Sequence, residues 1–478
     1  MQNEQRSFLF LRGPLSPFFR RLGQAIASKG ALVNRVNFCG GDVFYWPWGN
    51  THCWQGHTYE WPQWVAELMK RYQVTDLVLV GDWRPLHREA IWLAKFQGCR
   101  IWVYEEGYVR PGYVTLEEGG VNAYSKLPRT PEGIHKRALE IAGKHIWPPS
   151  KNEDPMLGRV LKITWHYLGN MALWPLFRKY RTHRPYNVAR ELIGATPRLL
   201  NRSKRRKHGI TVTKDILSGH APFYLMPLQL DADSQVRRHS PFTGMLECMA
   251  LVITDFARNA PKDAFLVFKN HPLDNGLRNY RRYMRSLGHA AGCSARLKFV
   301  EEVKSSGLIT KARGVILCNS TIGMVALLKN KPVYCLGESI YAMPGLAVNE
   351  KQMPLSEFWT ALPPPNEALR DEFFRVIKHD ALIPGNFFSP EGIDEAIAAS
   401  LERMGLTENA AGEKEEEETA QEAPSENTQD NSASDDAAAK ETAPEASADA
   451  CAPDEHPEKQ EAEPAVPNAN GLNMDKVN

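Results

Sequence analysis

No stretch of this 478-residue chain strings together the roughly 18 apolar residues that a membrane-spanning helix requires. The opening segment, MQNEQRSFLFLRGPLSPF, lacks the basic start and long apolar core of a secretory signal. The expectation is a cytoplasmic protein, at most peripheral to the inner face of a membrane. The eight cysteines, at 39, 53, 99, 248, 293, 318, 335 and 451, contain no CxxC pair. Those inside apolar runs, such as Cys318 in GVILCNS and Cys335 in PVYCLG, read as small buried hydrophobes in a reducing compartment. The sequence displays no metal-binding cluster. From Thr407 to Asn478 there is no aromatic residue, and 20 Asp+Glu stand against 4 Lys+Arg. Such a segment buries too little apolar surface to offset its ordering entropy, which predicts a disordered acidic tail over 407–478.

The rest of the chain is the opposite. It carries 54 Lys+Arg against 36 Asp+Glu, so the overall net charge of +2 conceals a strongly basic body. A basic body points to anionic partners: nucleotide phosphates, anionic lipid or nucleic acid.

Short apolar runs alternate with helical patterns. FLFLR (8–12), ALVNRVNF (31–38), DVFYW (42–46), DLVLV (76–80) and RIWVY (100–104) are interleaved with helical spacing near 17–28, 61–72 and 86–97. The alternation lapses between about 125 and 215. It resumes with APFYLMPLQ (221–229), AFLVFKNHP (264–272), RLKFVEE (296–302), GVILCNS (314–320) and PVYCLG (332–337), about five strands. Strand, turn, helix, strand is the pattern of a parallel sheet wound with helices. The expected fold is α/β and GT-B-like: two doubly wound, Rossmann-like domains facing a central cleft. Their boundaries are 1–150 and 216–350, followed by C-terminal helices over 351–406. Sheets of this kind bind ligands at the carboxyl ends of their strands.

The segment between them, 151–215, mixes Trp, Tyr and Leu with a dense basic set: eleven Lys+Arg and one acid, Glu191, from Arg178 to Lys207. That is the pattern of an interfacial helix on anionic lipid. A solvated basic linker fits the same residues. Nothing in the segment looks like a groove-reading nucleic-acid motif.

The residues able to carry chemistry fall at the ends of apolar runs. VYEEGYVRPGY places Glu105, Glu106 and Arg110 where one strand stops. VFKNHPLDNG places Lys269, His271 and Pro272 after another; a lysine and a histidine there can pair with a phosphate leaving group. Asn319, Ser320 and Thr321 precede the helical TIGMVALLKN, whose start offers free N–H groups. In MPLQLDADSQ, Asp231 and Asp233 offer a carboxylate nucleophile or base beside Gln229, although the alternation also suits an exposed strand or loop.

Together, EEGYVRPGY, PLQLDADSQ, KNHP, CNSTIGMVALLKNKPV and GESIYAMPGL occur in the order and at the spacing of the capsule polysaccharide biosynthesis family, which about residues 6–400 resemble. The likeness is to its retaining β-Kdo transferases, which act on group 2-type Gram-negative capsules. It implies CMP-Kdo as donor substrate with no cofactor and no metal. It implies a lysophosphatidylglycerol-type lipid as acceptor on the anionic inner-membrane surface, and a KpsC-type transferase and the capsule export complex as partners; nucleic acid is not among them. In that reading Asp233 is the nucleophile, with Asp231 as a preceding acid. Lys269 and His271 bind the CMP phosphate, with His271 assisting its departure, and Pro272 lies beside them on the donor side. Gln229, Asn319, Ser320 and Thr321 complete the donor side. Glu105, Glu106 and Arg110 lie on the acceptor side, with Glu106 favoured as the base that takes the acceptor's proton.

Overall fold

The computed structural model describes residues 5–152, 156–180, 194, 196–198, 200–230 and 234–407. Asp231, Asp233, much of the basic stretch and the acidic tail lie outside them. The chain divides into a compact unit, Met1–Glu415, and a second unit, Glu416–Asn478, which falls wholly outside the described residues.

The compact unit has two sheets. The first contains β1 (Ser7–Phe10), β2 (Leu32–Asn37), β3 (Thr51–Cys53), β4 (Asp76–Val80), β5 (Arg100–Glu106) and β6 (Tyr113–Glu118). The second contains β7 (Phe223–Pro227), β8 (Phe265–Lys269), β9 (Leu297–Val300), β10 (Gly314–Leu317), β11 (Val333–Cys335) and the two-residue β12 (Val348–Asn349). A last strand, β13 (Leu382–Pro384), returns to the first sheet. The strand orders are β13-β6-β5-β4-β1-β2-β3 and β12-β11-β10-β7-β8-β9. The second sheet is parallel throughout. The first is parallel from β3 to β5 and antiparallel at β6 and β13. The architecture is therefore the expected GT-B-like pair of doubly wound sheets. The strand order reverses beside β1 in one and beside β7 in the other, and at such switch points the loops diverge and leave a crevice at the carboxyl edge. The strands form because their residues suit burial on both faces: DLVLV of β4 is buried at every position.

Three features go beyond the local pattern, the first of them against it. The apolar run DVFYW is largely helical, within Gly40–Tyr45. The two glycines at its start let that helix press on another, Met156–Ala172: a Cβ on Gly40 would strike the carbonyl of Gly169, and one on Gly41 the ring of His166. The C-terminal helices pack back on the earlier part of the chain. Helix Glu367–Asp380 packs on Pro131–Glu140, with Asp380 gripped by Arg137 through two 2.8 Å bonds. After β13, helix Pro390–Arg403 covers the first sheet, where Tyr104 Oη donates to Ser400 Oγ at 2.8 Å. Finally, part of the basic segment is neutralised internally. Arg198 pairs with Asp274 at 2.9 Å and Glu301 at 3.0 Å, and Arg202 with Glu302 at 3.1 Å. Among the described residues no helix is long and apolar enough to cross a membrane.

Candidate functional site

Three loops of the second sheet meet at its carboxyl edge. After β7, Gln229 is buried and exchanges bonds with Asn319 after β10: Gln229 Nε2 donates to Asn319 Oδ1 at 3.0 Å, and Asn319 N to Gln229 Oε1 at 3.2 Å. Asn319 Nδ2 reaches on to the His239 carbonyl at 3.2 Å. This pair ties the ends of β7 and β10 together.

After β8, Lys269 is buried and its ammonium donates to the Asn270 carbonyl at 3.2 Å; burial lowers its pKa. His271 Nδ1 accepts from Leu273 N at 3.1 Å, which leaves Nε2 as the protonated nitrogen of the neutral ring. Burial, then the charges of Lys269 and Arg110, push its pKa down to about 4. His271 is thus neutral near pH 7. It can donate a hydrogen bond to an anion, but it is not a resident imidazolium acid, which narrows the role expected of it. Pro272 is exposed. Ser320 Oγ accepts from Ile322 N at 3.3 Å, and its carbonyl accepts from Tyr341 Oη at 2.5 Å. Thr321 does not cap its helix with its hydroxyl. Its Oγ1 accepts instead from Arg110 Nη2 at 2.9 Å.

Arg110 comes from the first sheet, beyond the end of β5. The adjacent glutamates of β5 face different surroundings, as neighbours on a strand do. Glu106 lies between Arg159, at 3.3 Å, and Arg110, at 3.7 Å. Glu105 points toward the β4 loop: a Cβ on Gly81 would sit 3.4 Å from its Oε2. Burial, with Glu106 and Asp82 adding to it, pushes its carboxyl up to about 7, against the pull of the Glu106 N–H and Arg84. Asp82 is also pushed up by burial, to about 6, although Val121 N donates to it at 2.8 Å.

Some residues at this cleft escaped the sequence reading. Trp83, after β4, stacks on Tyr124 with ring centroids 6.2 Å apart. His239 stands edge-on to both, at 5.7 and 5.6 Å. Arg88 and Arg238 lie over the Trp83 ring at 4.9 and 5.0 Å. His239 follows helix Ser234–Arg238. The signal was the tryptophan at a strand end in GDWRP. Cys39, Asp42 and His166 also converge, their ligand atoms within 4.8 Å of one another. Arg12 Nε and Arg35 Nη2 stand 3.8 and 3.9 Å from the Asp42 carboxylate, and Arg12 Nη2 is 3.0 Å from His166 Nε2.

The family model described as "Capsule polysaccharide biosynthesis protein" matches residues 75–388. The capsule polysaccharide export protein KpsS of Escherichia coli is 33% identical over 374 residues, covering 74% of this chain and 90% of that protein. The capsule polysaccharide modification protein LipB of Neisseria meningitidis serogroup A is 30% identical over 390 residues, covering 80% of this chain and 92% of that one. Among solved structures, the KpsC beta Kdo 2,7 transferase of Thermosulfurimonas dismutans is 14% identical with a TM-score of 0.38, covering 84% of this chain and 100% of that one.

Proposed function

This chain belongs to the capsule polysaccharide biosynthesis family, and from that premise we propose that it is a retaining glycosyltransferase. It moves Kdo from CMP-Kdo to a hydroxyl of a lysophosphatidylglycerol-type lipid, and a KpsC-type transferase then extends the product for export. The observation that carries this reading is the meeting of the two carboxyl edges: Arg110 of one sheet bonded to Thr321 of the other, close enough to His271 to depress its pKa. A phosphate ester held there receives hydrogen bonds from neutral His271 and charge from Arg110 and Lys269.

The reaction is two displacements. The Asp233 carboxylate attacks the anomeric carbon and forms a sugar ester as the bond to CMP breaks and its electrons pass to the phosphate. His271 stabilises that departing charge by donation, without giving up its proton. The acceptor hydroxyl then attacks the same carbon, Asp233 leaves as carboxylate, and a glutamate takes the hydroxyl proton. We assign that base to Glu105 rather than Glu106. Glu106 is engaged by two guanidinium groups, whereas a carboxyl poised near 7 is matched to proton transfer at neutral pH.

Helix Met156–Ala172 supports a membrane-surface location. Leu157, Leu161, Trp165, Leu168 and Met171 recur at helical spacing on its exposed side, and Trp174 continues the row. We place this face on the anionic inner surface of the inner membrane. Intact-mass measurement with CMP-Kdo tests the mechanism. The protein gains one Kdo and the Asp233→Ala variant does not; an adduct that survives this substitution excludes Asp233 as nucleophile. A transferase for another CMP-sugar would form its adduct only with that donor, and a non-catalytic assembly component would form none.

A further inference from the structure

The first sheet has a cavity of about 160 Å³ at its own carboxyl edge. Its lining includes Arg12 beyond β1, Phe38 beyond β2, Trp54 beyond β3 and Arg84 beyond β4, with Lys179 and Tyr180 closing one side. The charge in and behind it is unbalanced. Arg12 and Arg35 share Asp42, at 3.8 and 3.9 Å, and Arg12 Nη1 also donates to Tyr180 Oη at 2.5 Å. Among the described residues no carboxylate stands within salt-bridge distance of Arg84. Its Nη1 is buried without a hydrogen-bond partner among the described residues, as is Arg12 Nε. Burial and the charge of Arg12 pull the Arg84 pKa down to about 10, and Tyr180, Glu105 and Asp42 offset this only in part. A buried guanidinium with no directly bonded carboxylate is costly, and an anion that pairs with it lowers that cost.

We propose that this cavity is the binding site for the phosphate ester of the acceptor, held by Arg12, Arg84 and Lys179, with Phe38 and Trp54 packing on the apolar part of the ligand. The proposal rests on the transferase reading above and deepens it. Two further placements support it. Arg84 acts on Glu105 electrostatically, so a phosphate at Arg84 brings a neighbouring hydroxyl of the same ligand toward the proposed base. Lys179 and Tyr180 come five and six residues after Trp174, so the exposed apolar row leads along the chain to the cavity rim. An amphipathic phosphodiester, with its charge in the cavity and its chain along that row, satisfies both.

The test is calorimetric titration of the full chain with three probes: inorganic phosphate, glycerol 3-phosphate and lysophosphatidylglycerol. Lysophosphatidylglycerol is expected to bind at least tenfold more tightly than inorganic phosphate. Arg84→Gln and the rim variant Lys179→Ala each weaken it tenfold or more, while Arg84→Lys recovers part of the loss. The Tm of ligand-free Arg84→Gln equals or exceeds that of the parent, because an unpaired buried charge is gone; a purely structural arginine would lower it. Equal affinity for inorganic phosphate and the lysolipid overturns the acceptor assignment, as does unchanged lysolipid binding in both variants. If transfer from CMP-Kdo fails while Arg84-dependent lysolipid binding persists, the cavity stands and the transferase reading falls. If transfer proceeds and Arg84→Gln leaves the acceptor KM unchanged, the reverse holds.

Discussion

Arg110 Nη2 donates to Thr321 Oγ1 at 2.9 Å across 211 residues of sequence, joining the end of β5 in one sheet to the loop after β10 in the other. The same arginine contributes to the low pKa of His271 and stands 3.7 Å from Glu106. It is the one cation described above that touches acceptor-side and donor-side residues together. Arg110→Gln should raise the His271 pKa from about 4 part of the way toward its ordinary 6.5, read from the ring resonances in an NMR titration. Burial and Lys269 remain, so the return is incomplete. Loss of a partly exposed charge-assisted bond should weaken CMP binding by about 1 kcal/mol, roughly fivefold.

The Glu105 carboxyl, held near 7, sets two opposite pH trends. Transfer should rise with pH through about 7 as the base ionises, and Glu105→Gln should abolish that rise and cut kcat by ~10²–10⁴. Stability should move the other way. The folded state keeps this proton to about 7 while the unfolded chain releases it near 4.5, so folding loses free energy as pH rises between those values. Glu105→Gln should recover about 3 kcal/mol at pH 8 and flatten the slope in denaturant titrations. Asp82 and Glu117, both raised by burial, leave a residual slope of the same sign.

Membrane attachment should depend on the apolar row of helix Met156–Ala172 more than on the basic helix that follows. Leu161→Glu and Met171→Glu, at positions 61% and 75% exposed, should each lower partitioning onto anionic liposomes by about tenfold with Tm unchanged. Arg202→Ala and Arg205→Ala should act differently. Their guanidinium groups serve Glu301 and Glu302, so the loss should appear in stability before it appears in liposome binding.

Gly40 is where the first sheet's short helix meets helix Met156–Ala172. Gly40→Ala should destabilise the protein by about 2–4 kcal/mol in chemical denaturation, because the added methyl meets the Gly169 carbonyl, which is backbone and cannot swing aside.

The strands and the positions of the reactive loops were legible in the sequence because both follow local rules. A continuous apolar run such as DLVLV or FLVFK suits a strand buried on both faces, and KNHP and CNST stand at strand ends. Adjacent Glu105 and Glu106 had to face apart, and they do. Which one is engaged by arginines depends on Arg159, more than fifty residues away on a helix whose placement no local pattern fixes. The same holds for DVFYW, whose helix is set by the glycine contact with Gly169. The pairing of the basic segment with Glu301 and Glu302, the return of β13 to the first sheet, and the Trp83–His239 cluster are likewise long-range contacts.

The most direct measurement is to incubate the purified protein with CMP-Kdo and a fluorescent lysophosphatidylglycerol and to weigh the lipid product. The account predicts a lipid heavier by one Kdo, lost in Asp233→Ala although that variant still binds CMP. No product, alongside an active control transferase, would contradict it.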